Sequence, residues 1–273
     1  MKEVIHSEIR RFVREESGNR FPGSAGRYFD EPLVGFAAAD DPLFAQYKSV
    51  IGSFHLTPLE LARSGQPSPW TARTVISWVL PISEETRRSN REETVYPSRR
   101  WAKTRQHGEA FNASLRRHLV CFLQESGYQA LAPQTHPDWR EYGTTPAGIA
   151  SSWSERHAAY AAGLGTFSLN DALITPRGIA HRLGSVITDL LMEPSPRPYA
   201  DHRANCLWHR NGSCGACIGR CPVGALSKEG HDKTVCRDHV YGTIPRMVGE
   251  RFEVTSTGCG LCQTGVPCES AIP

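Results

Sequence analysis

The sequence predicts a mixed α/β (α+β) domain over residues 1–200, followed by a smaller cysteine-rich module over residues 201–273. Three observations predict it. Short, β-rich apolar runs bounded by turn residues alternate with segments of helical period through the first part of the chain. Eight of the nine cysteines fall between Cys206 and Cys268. Between the two regions lies EPSPRPYADHR (Glu193–Arg203), whose three prolines mark a linker.

Taken in order, the first element is an amphipathic surface helix from about Lys2 to Glu16. LVGFAAAD (Leu33–Asp40) and RTVISWVLP (Arg73–Pro81) read as buried strands. Between them, Thr57 can cap a short helix that starts at Pro58. From Arg105 to Gln124, Phe111, Leu115, Leu119 and Phe122 share one helical face, and Gly127 ends that helix. Cys121, beside Phe122, is expected to be a small core residue. YQALAP (Tyr128–Pro133) is a further strand. A second helix fits Ser151 to Ala162, capped by Ser151 or Ser152 and stopped by Gly163. GSVITDLLM (Gly184–Met192) reads as the last strand. Beyond the linker the chain is poor in large apolar residues, so metal is expected to hold it together.

A formal charge of +3 and a pI near 8.4 are too mild to announce nucleic-acid binding. No run approaches the roughly 18 apolar residues of a membrane span. Arg10, Arg11 and Phe12 resemble the start of a twin-arginine signal, but no apolar stretch follows. The expectation is a cytoplasmic protein, and in a reducing compartment clustered cysteines point to metal or redox chemistry rather than disulfides.

The cysteine spacing sharpens this. Bacterial ferredoxins use C-x2-C-x2-C-x3-C-P, whose fourth cysteine ligates the other cluster of a pair. Cys214, Cys217 and Cys221, followed by Pro222, match the second, third and fourth positions; the first falls on Asn211. Cys206 is the nearby thiol, and Asn211 and Gly212 allow the chain to turn back. Crossed pairing then puts Cys206, Cys214, Cys217 and Cys268 on one 4Fe–4S cluster. Cys221, Cys236, Cys259 and Cys262 take the other. Four-thiolate zinc also uses C-x2-C pairs, but the C-x3-C-P signature and the crossing favour iron and sulfide. No GxGxxG motif follows a strand and no P-loop is present, so nucleotide cofactors are unsupported.

AAGLGTFSLNDALITPRG (Ala161–Gly178), followed by LGSVITDLL (Leu183–Leu191) and the CP-containing module, resembles the cobalamin-dependent iron–sulfur reductases, namely epoxyqueuosine reductases and reductive dehalogenases. The resemblance covers roughly Tyr96 to Pro273. It implies a nitroreductase-like domain that holds cobalamin, then a ferredoxin-like two-cluster module. It further implies that Gly163, Leu164, Gly165, Thr166, Phe167, Ser168 and Asn170 line the corrin. Read without the resemblance, the same loop is a tight helix-to-strand turn that needs glycine. Three departures stand out. Epoxyqueuosine reductases usually carry helical repeats after the clusters, and this sequence stops at Pro273. Their acid, in a D-x2-P-x3-E pattern, is replaced here by Gly143 before Pro146. Reductive dehalogenases use a tyrosine donor and often an export signal. Tyr142, His157 and Tyr160 are the substitute proton donors to weigh, each against a packing or surface role, and His107 and His118 are expected to face solvent.

The basic run RRSNREETVYPSRRWAKTR (Arg87–Arg105) has seven Lys/Arg against two Glu. A solvated loop is the ordinary outcome; a phosphate backbone, an acidic ferredoxin or the cobalamin tail phosphate are the alternatives. The resulting expectation is an oxidoreductase passing electrons from an external ferredoxin or flavodoxin through two clusters to a cobalamin, for reductive cleavage of a small molecule. An electron-transfer or cobalamin-handling protein without substrate chemistry is the rival, and a tRNA-modifying reductase the third reading.

Overall fold

Every residue of the run Thr74–Pro81 is buried, and this run is the middle of the molecule. The structure, a computed structural model, describes residues 1–64 and 68–273. In chain order the strands are β1 (Leu33–Ala38), β2 (Thr74–Pro81), β3 (Ala130–Leu131), β4 (Glu141–Tyr142), β5 (Ala150–Ser151), β6 (Thr166–Phe167), β7 (Leu173–Ile174) and β8 (His181–Thr188). The main sheet has the order β1-β2-β8-β3 and is antiparallel throughout, with Phe36 opposite Ile76 and Ser77 opposite Ser185. β4 with β5 and β6 with β7 form two small ladders.

Alternation along β2 sorts its side chains between two cores. Ile76, Trp78 and Leu80 face α1 (Lys2–Glu15) and the long α5 (Arg99–Glu125), where Ile5, Ile9, Leu115 and Leu119 are buried. Val75 and Val79 face the opposite layer, built from α2 (Pro42–Val50), α3 (Pro58–Arg63) and α6 (Glu155–Ala161). Helices thus cover both faces of the sheet. α3 begins where its sequence says: Thr57 Oγ1 accepts from Glu60 N at 3.2 Å, and Glu60 Oε2 accepts from Thr57 N at 2.8 Å.

Three elements differ from expectation. α5 starts at Arg99, because Ser98 caps it and Trp101 joins the core. α6 starts at Glu155 under a Ser154 cap; Ser151 and Ser152 lie before it, where Ser151 is in β5 and Ser152 Oγ accepts from Arg140 N. β8 runs earlier than expected, since Thr74 Oγ1 donates to Leu190 O at 2.7 Å and accepts from Met192 N, drawing the chain out of the sheet. Cys121 is exposed rather than in the core.

The proline-rich segment is docked, not free: Ser195 N donates to Phe36 O at 2.8 Å, and Phe36 N donates to Ser195 Oγ. Beyond it come α7 (Leu207–Asn211), α8 (Ala216–Gly219), α9 (Lys233–Arg237), a π-helical turn over Asp238–Thr243 and α10 (Ile244–Phe252). Among the described residues no helix is long and apolar enough to cross a membrane. The basic run is not a solvated loop. It folds as the end of α4 (Glu84–Arg91) and the start of α5 with a short connection between them, and five of its seven cations pair with carboxylates: Arg87 and Arg91 with Glu269, Arg100 with Glu85, and Arg99 and Lys103 with Glu253.

Candidate functional site

The cysteines lie on short, glycine-punctuated elements that only a tight backbone can supply. Cys206 caps α7, Cys214 precedes α8, Cys217 lies in it and Cys221 follows it. Cys236 is in α9, and Cys262 is in a 3₁₀ turn over Leu261–Gln263. Gly260, between Cys259 and Leu261, has φ 68°, and a Cβ there would fall 1.9 Å from the Trp101 ring, so that turn accepts no other residue. Cys268 is fixed from the sheet domain, where Ile179 N donates to its carbonyl at 2.9 Å.

The side chains gather into two sets. Cys206, Cys214, Cys217 and Cys268 line one apolar cavity, walled by Leu169, Ile174, Ile179 and Val266. Burial pushes the Cys217 thiol up to about 11 and Cys268 up to about 12, and Cys206 and Cys214 add to both through their negative charge. In the second set, burial raises Cys259 to about 11, with Cys236 and Cys221 adding to it. Cys262 is raised well above the ordinary thiol range by burial and then by Cys259, Cys236, Cys217 and Cys221. Cys217, Cys268, Cys259 and Cys262 thus resist becoming thiolates unless positive charge is supplied beside them, which is the condition a metal–sulfide cluster meets. Among the described residues, no three His, Cys, Asp or Glu side chains are grouped to hold a single metal ion. Four thiols spaced around a cavity fit a polynuclear group better than one zinc.

A second cavity, of about 410 Å³, opens between α5, α6, β8 and the cysteine segment. Asn170 lines both cavities, and its Nδ2 donates to Cys262 O at 3.0 Å. The walls are aromatic on one side, with Trp139 and Trp153, and charged on the other. Glu109 accepts from Arg116 Nη1 and from Arg182 Nε, each at 3.0 Å. Burial would raise its carboxyl, but the two guanidinium groups hold it down at about 2. Glu155 Oε2 accepts from Ser185 Oγ at 2.6 Å, while its Oε1 lies 3.6 Å from Arg116 Nε. Burial dominates there and pushes Glu155 up, against the pull of Arg116 and Ser185. Two carboxylates around one arginine are thereby driven in opposite directions, a division of labour suited to proton transfer. His231 bridges Asp171, at 3.0 Å, and Cys236; burial opposes its charge, yet these partners raise it to about 9. Arg116 Nε, Gln134 Oε1, Glu155 Oε1 and His181 Nδ1 all belong to cavity-lining residues, and none has a hydrogen-bond partner among the described residues.

The residues expected as proton donors stand elsewhere. Tyr142 stacks on Phe54 at 4.1 Å. His157 shares a 2.8 Å hydrogen bond with Ser154 Oγ and meets Tyr47 edge-on at 4.7 Å. Burial, then Arg156, lowers it to about 3, so it is neutral near pH 7 and holds no proton to give as imidazolium. Tyr160 packs on Phe167. None of the three lines the cavity. Most of the Gly163–Asn170 loop packs internally. Leu164 covers Gly35, Gly163 abuts Pro196 O, Gly165 abuts Ile174 O, and Thr166 pairs with Ile174 while Phe167 N donates to His202 O. Ser168 reaches the thiol-lined cavity and Asn170 reaches both. The sequence reading passed over Glu109, Arg116, Glu155, Arg156 and Arg182. Its missed signal is a polar stripe at i, i+3 and i+7 on α5 (Glu109, Asn112, Arg116), beside the apolar one.

No family model matches the chain. Over 119 residues, 42% of this chain, it is 33% identical to an epoxyqueuosine reductase from Bacillus anthracis; the match spans 29% of that protein's length. Among solved structures, an epoxyqueuosine reductase with a tRNA-Tyr epoxyqueuosine-modified stem loop is 20% identical, with a TM-score of 0.51; the alignment covers 98% of this chain and 66% of that one. The epoxyqueuosine reductase from Streptococcus thermophilus is 17% identical, over 97% of this chain and 66% of that one, at 0.50. A catabolic reductive dehalogenase is 16% identical, over 88% of this chain and 30% of that one, at 0.54. The chain thus shares its mixed α/β fold with epoxyqueuosine reductases and reductive dehalogenases, and is similar in sequence to an epoxyqueuosine reductase over 119 of its residues.

Proposed function

We propose that the chain is an iron–sulfur oxidoreductase that cleaves a C–O or C–halogen bond reductively in the charged cavity. The observation that carries this reading is the meeting of Cys206, Cys214, Cys217 and Cys268 around one apolar cavity, beside a charged cavity that shares Asn170 with it. Cys206, Cys214, Cys217 and Cys268 would hold one 4Fe–4S cluster, and Cys221, Cys236, Cys259 and Cys262 the other; bound there, the clusters supply one-electron transfer. Trp139, Leu183, Gln134 and Arg182, which line the second cavity, are the residues that would hold a cobalamin there. A cobalamin held there supplies a low-valent metal for bond cleavage. One solved relative is described as carrying out B12-dependent dehalogenation.

The overall change takes up two electrons and one proton: the C–X bond is replaced by C–H, and X⁻ leaves. An external ferredoxin or flavodoxin supplies the electrons. Glu155 supplies the proton, since its carboxyl is buried, retains its proton to higher pH and belongs to a residue that lines the cavity. Ser185 steadies it, and is itself held by Trp153 Nε1 at 3.0 Å. The donor missing from the D-x2-P-x3-E pattern is thus replaced from the first residue of α6. A tRNA substrate is less favoured, because five of the seven cations of Arg87–Arg105 pair with carboxylates of the chain itself. Eight reduced thiols suit a cytoplasmic setting.

The test is anaerobic reconstitution followed by metal analysis and electron paramagnetic resonance. About eight iron and about eight acid-labile sulfide per chain are expected for two such clusters, with a base-off cobalt signal on titration with cob(II)alamin. Zinc without sulfide would overturn the reading.

A further inference from the structure

Around the first thiol set the chain carries charge of one sign. From His202 to Lys228 the sequence has Arg203, Arg210, Arg220 and Lys228 and no Asp or Glu. Arg220 is turned inward, donating Nε to Thr264 O at 3.0 Å and Nη2 to Asn90 O at 3.1 Å. Arg203 and Arg210 are exposed, and among the described residues neither stands in an ion pair. Asp201 borders the stretch, but its Oδ1 accepts from the Arg203 main-chain N, at 2.6 Å. Main-chain bonds tie both arginines to one thiol residue: Cys206 N donates to Arg203 O at 3.0 Å, and Arg210 N donates to Cys206 O at 2.8 Å. Burial lowers His209 on α7, and the charge of Arg203 adds to this, which sets Arg203 beside that helix. Trp208, half-buried on the same helix, lines the thiol cavity, so the cationic surface and the cavity share a wall.

The charged cavity adjoins the other set. His231 and Gln263 are the residues of the cysteine segment that line it. Gln263 follows Cys262, and His231 contacts Cys236. No residue of α7 lines that cavity. An unpaired cationic patch beside a redox centre steers a partner of opposite charge and fixes its orientation. Two arginines are too few to hold a phosphate backbone, for which about 6–10 contacts are usual, and this favours a compact acidic protein over RNA. Resting on the redox reading, we infer that α7 with Arg203 is the docking face for a small acidic ferredoxin, and that electrons enter the chain at the first thiol set. In each encounter one electron leaves the reduced ferredoxin, whose centre is oxidised, and reduces the cluster held by Cys206, Cys214, Cys217 and Cys268; no bond is made or broken. The second set, beside the charged cavity, then delivers the electron.

The experiment is isothermal titration of the anaerobically reconstituted full chain with a purified acidic ferredoxin, kept oxidised, at low and at raised salt. Saturable binding that weakens steeply with salt is expected. Arg203→Glu combined with Arg210→Glu should weaken it about 10-fold or more, and Arg203→Gln combined with Arg210→Gln by less. Arg246→Glu, at an exposed position of α10, should leave it unchanged. If the charge-reversed pair does not fold, the neutral pair carries the comparison. Bleaching of the 4Fe–4S absorbance by reduced ferredoxin, followed by stopped flow, should slow in the same order. Iron and sulfide are measured on the same samples. A chain that takes up neither defeats the redox reading, and the docking face with it. Fully loaded clusters with no ferredoxin binding, or with binding indifferent to salt, overturn the docking face alone. Equal binding by the Arg203 and Arg210 variants with an altered cluster signal also overturns it, and makes the two arginines counter-charges to the cluster. Loss in Arg246→Glu alone moves the point of entry to α10, and tRNA that displaces ferredoxin from the unaltered chain assigns the patch to RNA; each overturns it as well.

Discussion

Glu269 and Arg91 clasp the cysteine segment onto α4. Arg91 Nε donates to both carboxylate oxygens, at 2.9 and 2.8 Å, and Nη2 adds a third bond at 2.5 Å. Glu269 is 5% exposed, also faces Arg87 at 3.4 Å, and accepts from Gly265 N at 2.7 Å. It directly follows Cys268, so the ion pair positions a thiol as well as a domain contact.

Glu269→Ala would remove the acceptor of three Arg91 bonds and one of the carboxylates that face Arg87, which keeps Glu84 at 2.6 Å. A loss of about 1.5–3 kcal/mol is expected, the range for hydrogen bonds to charged groups. Thermal unfolding of the reconstituted chain should show it, with reduced iron retention because Cys268 is no longer held. The exposed Glu253, which pairs with Arg99 and Lys103 in solvent, provides the contrast. Glu253→Gln should leave both the melting temperature and the iron content unchanged.

Crossed ligation makes a pattern that no sequential pairing reproduces. Cys206 and Cys268 share a cavity although 61 residues lie between them in sequence. Cys206→Ala and Cys268→Ala should each remove about half the iron, and the double variant should lose no more than either alone. Cys206→Ala with Cys221→Ala should remove nearly all of it. Iron that falls additively in the first double variant would contradict the assignment.

The meeting of Cys206, Cys214, Cys217 and Cys268 was legible because C-x2-C and C-x3-C-P leave few geometries and Cys206 stood nearby in sequence. The central strands were legible for the same local reason, since Arg73–Pro81 is apolar without a break. The charged cavity was not. Glu109, Arg116, Glu155 and Arg182 come from three elements and acquire meaning only when β8 and α6 are set against α5. The basic run misled for a related reason. Charge density shows that cations are present but not that Glu269 and Glu253, far along the chain, take them up. Cys121 shows how coarse a helical face is as a guide: Leu119 and Leu123 are buried, while Cys121 between them points to solvent.

That exposure makes Cys121 a control thiol. Cys121→Ser should leave iron and sulfide content unchanged. In the reconstituted chain, Cys121 should be the cysteine that iodoacetamide modifies first, read by mass spectrometry of the digested protein. Prior labelling of Cys259 or Cys262 would mean that the second set is open in solution.

Acid sensitivity should come from histidines buried in the neutral form. Burial, assisted by nearby cations, lowers His157 to about 3, and also lowers His55 and His181 to about 4 each. Unfolded, each regains an ordinary value near 6.5. Between pH 6.5 and these lowered values the unfolded chain therefore binds protons that the native chain refuses, and stability is lost as the pH falls. Each such histidine contributes a slope of about 1.4 kcal/mol per pH unit. Glu155 acts in the opposite sense, because its raised carboxyl favours the fold more as the pH falls. His157 is the one to remove, since it lies outside the charged cavity and away from the thiols. Urea unfolding at pH 6.5, 6.0 and 5.5 should show His157→Gln losing stability less steeply than the unaltered chain, by about one proton's slope. Parallel slopes would mean that His157 is charged in the native protein, and would return it to consideration as a proton donor.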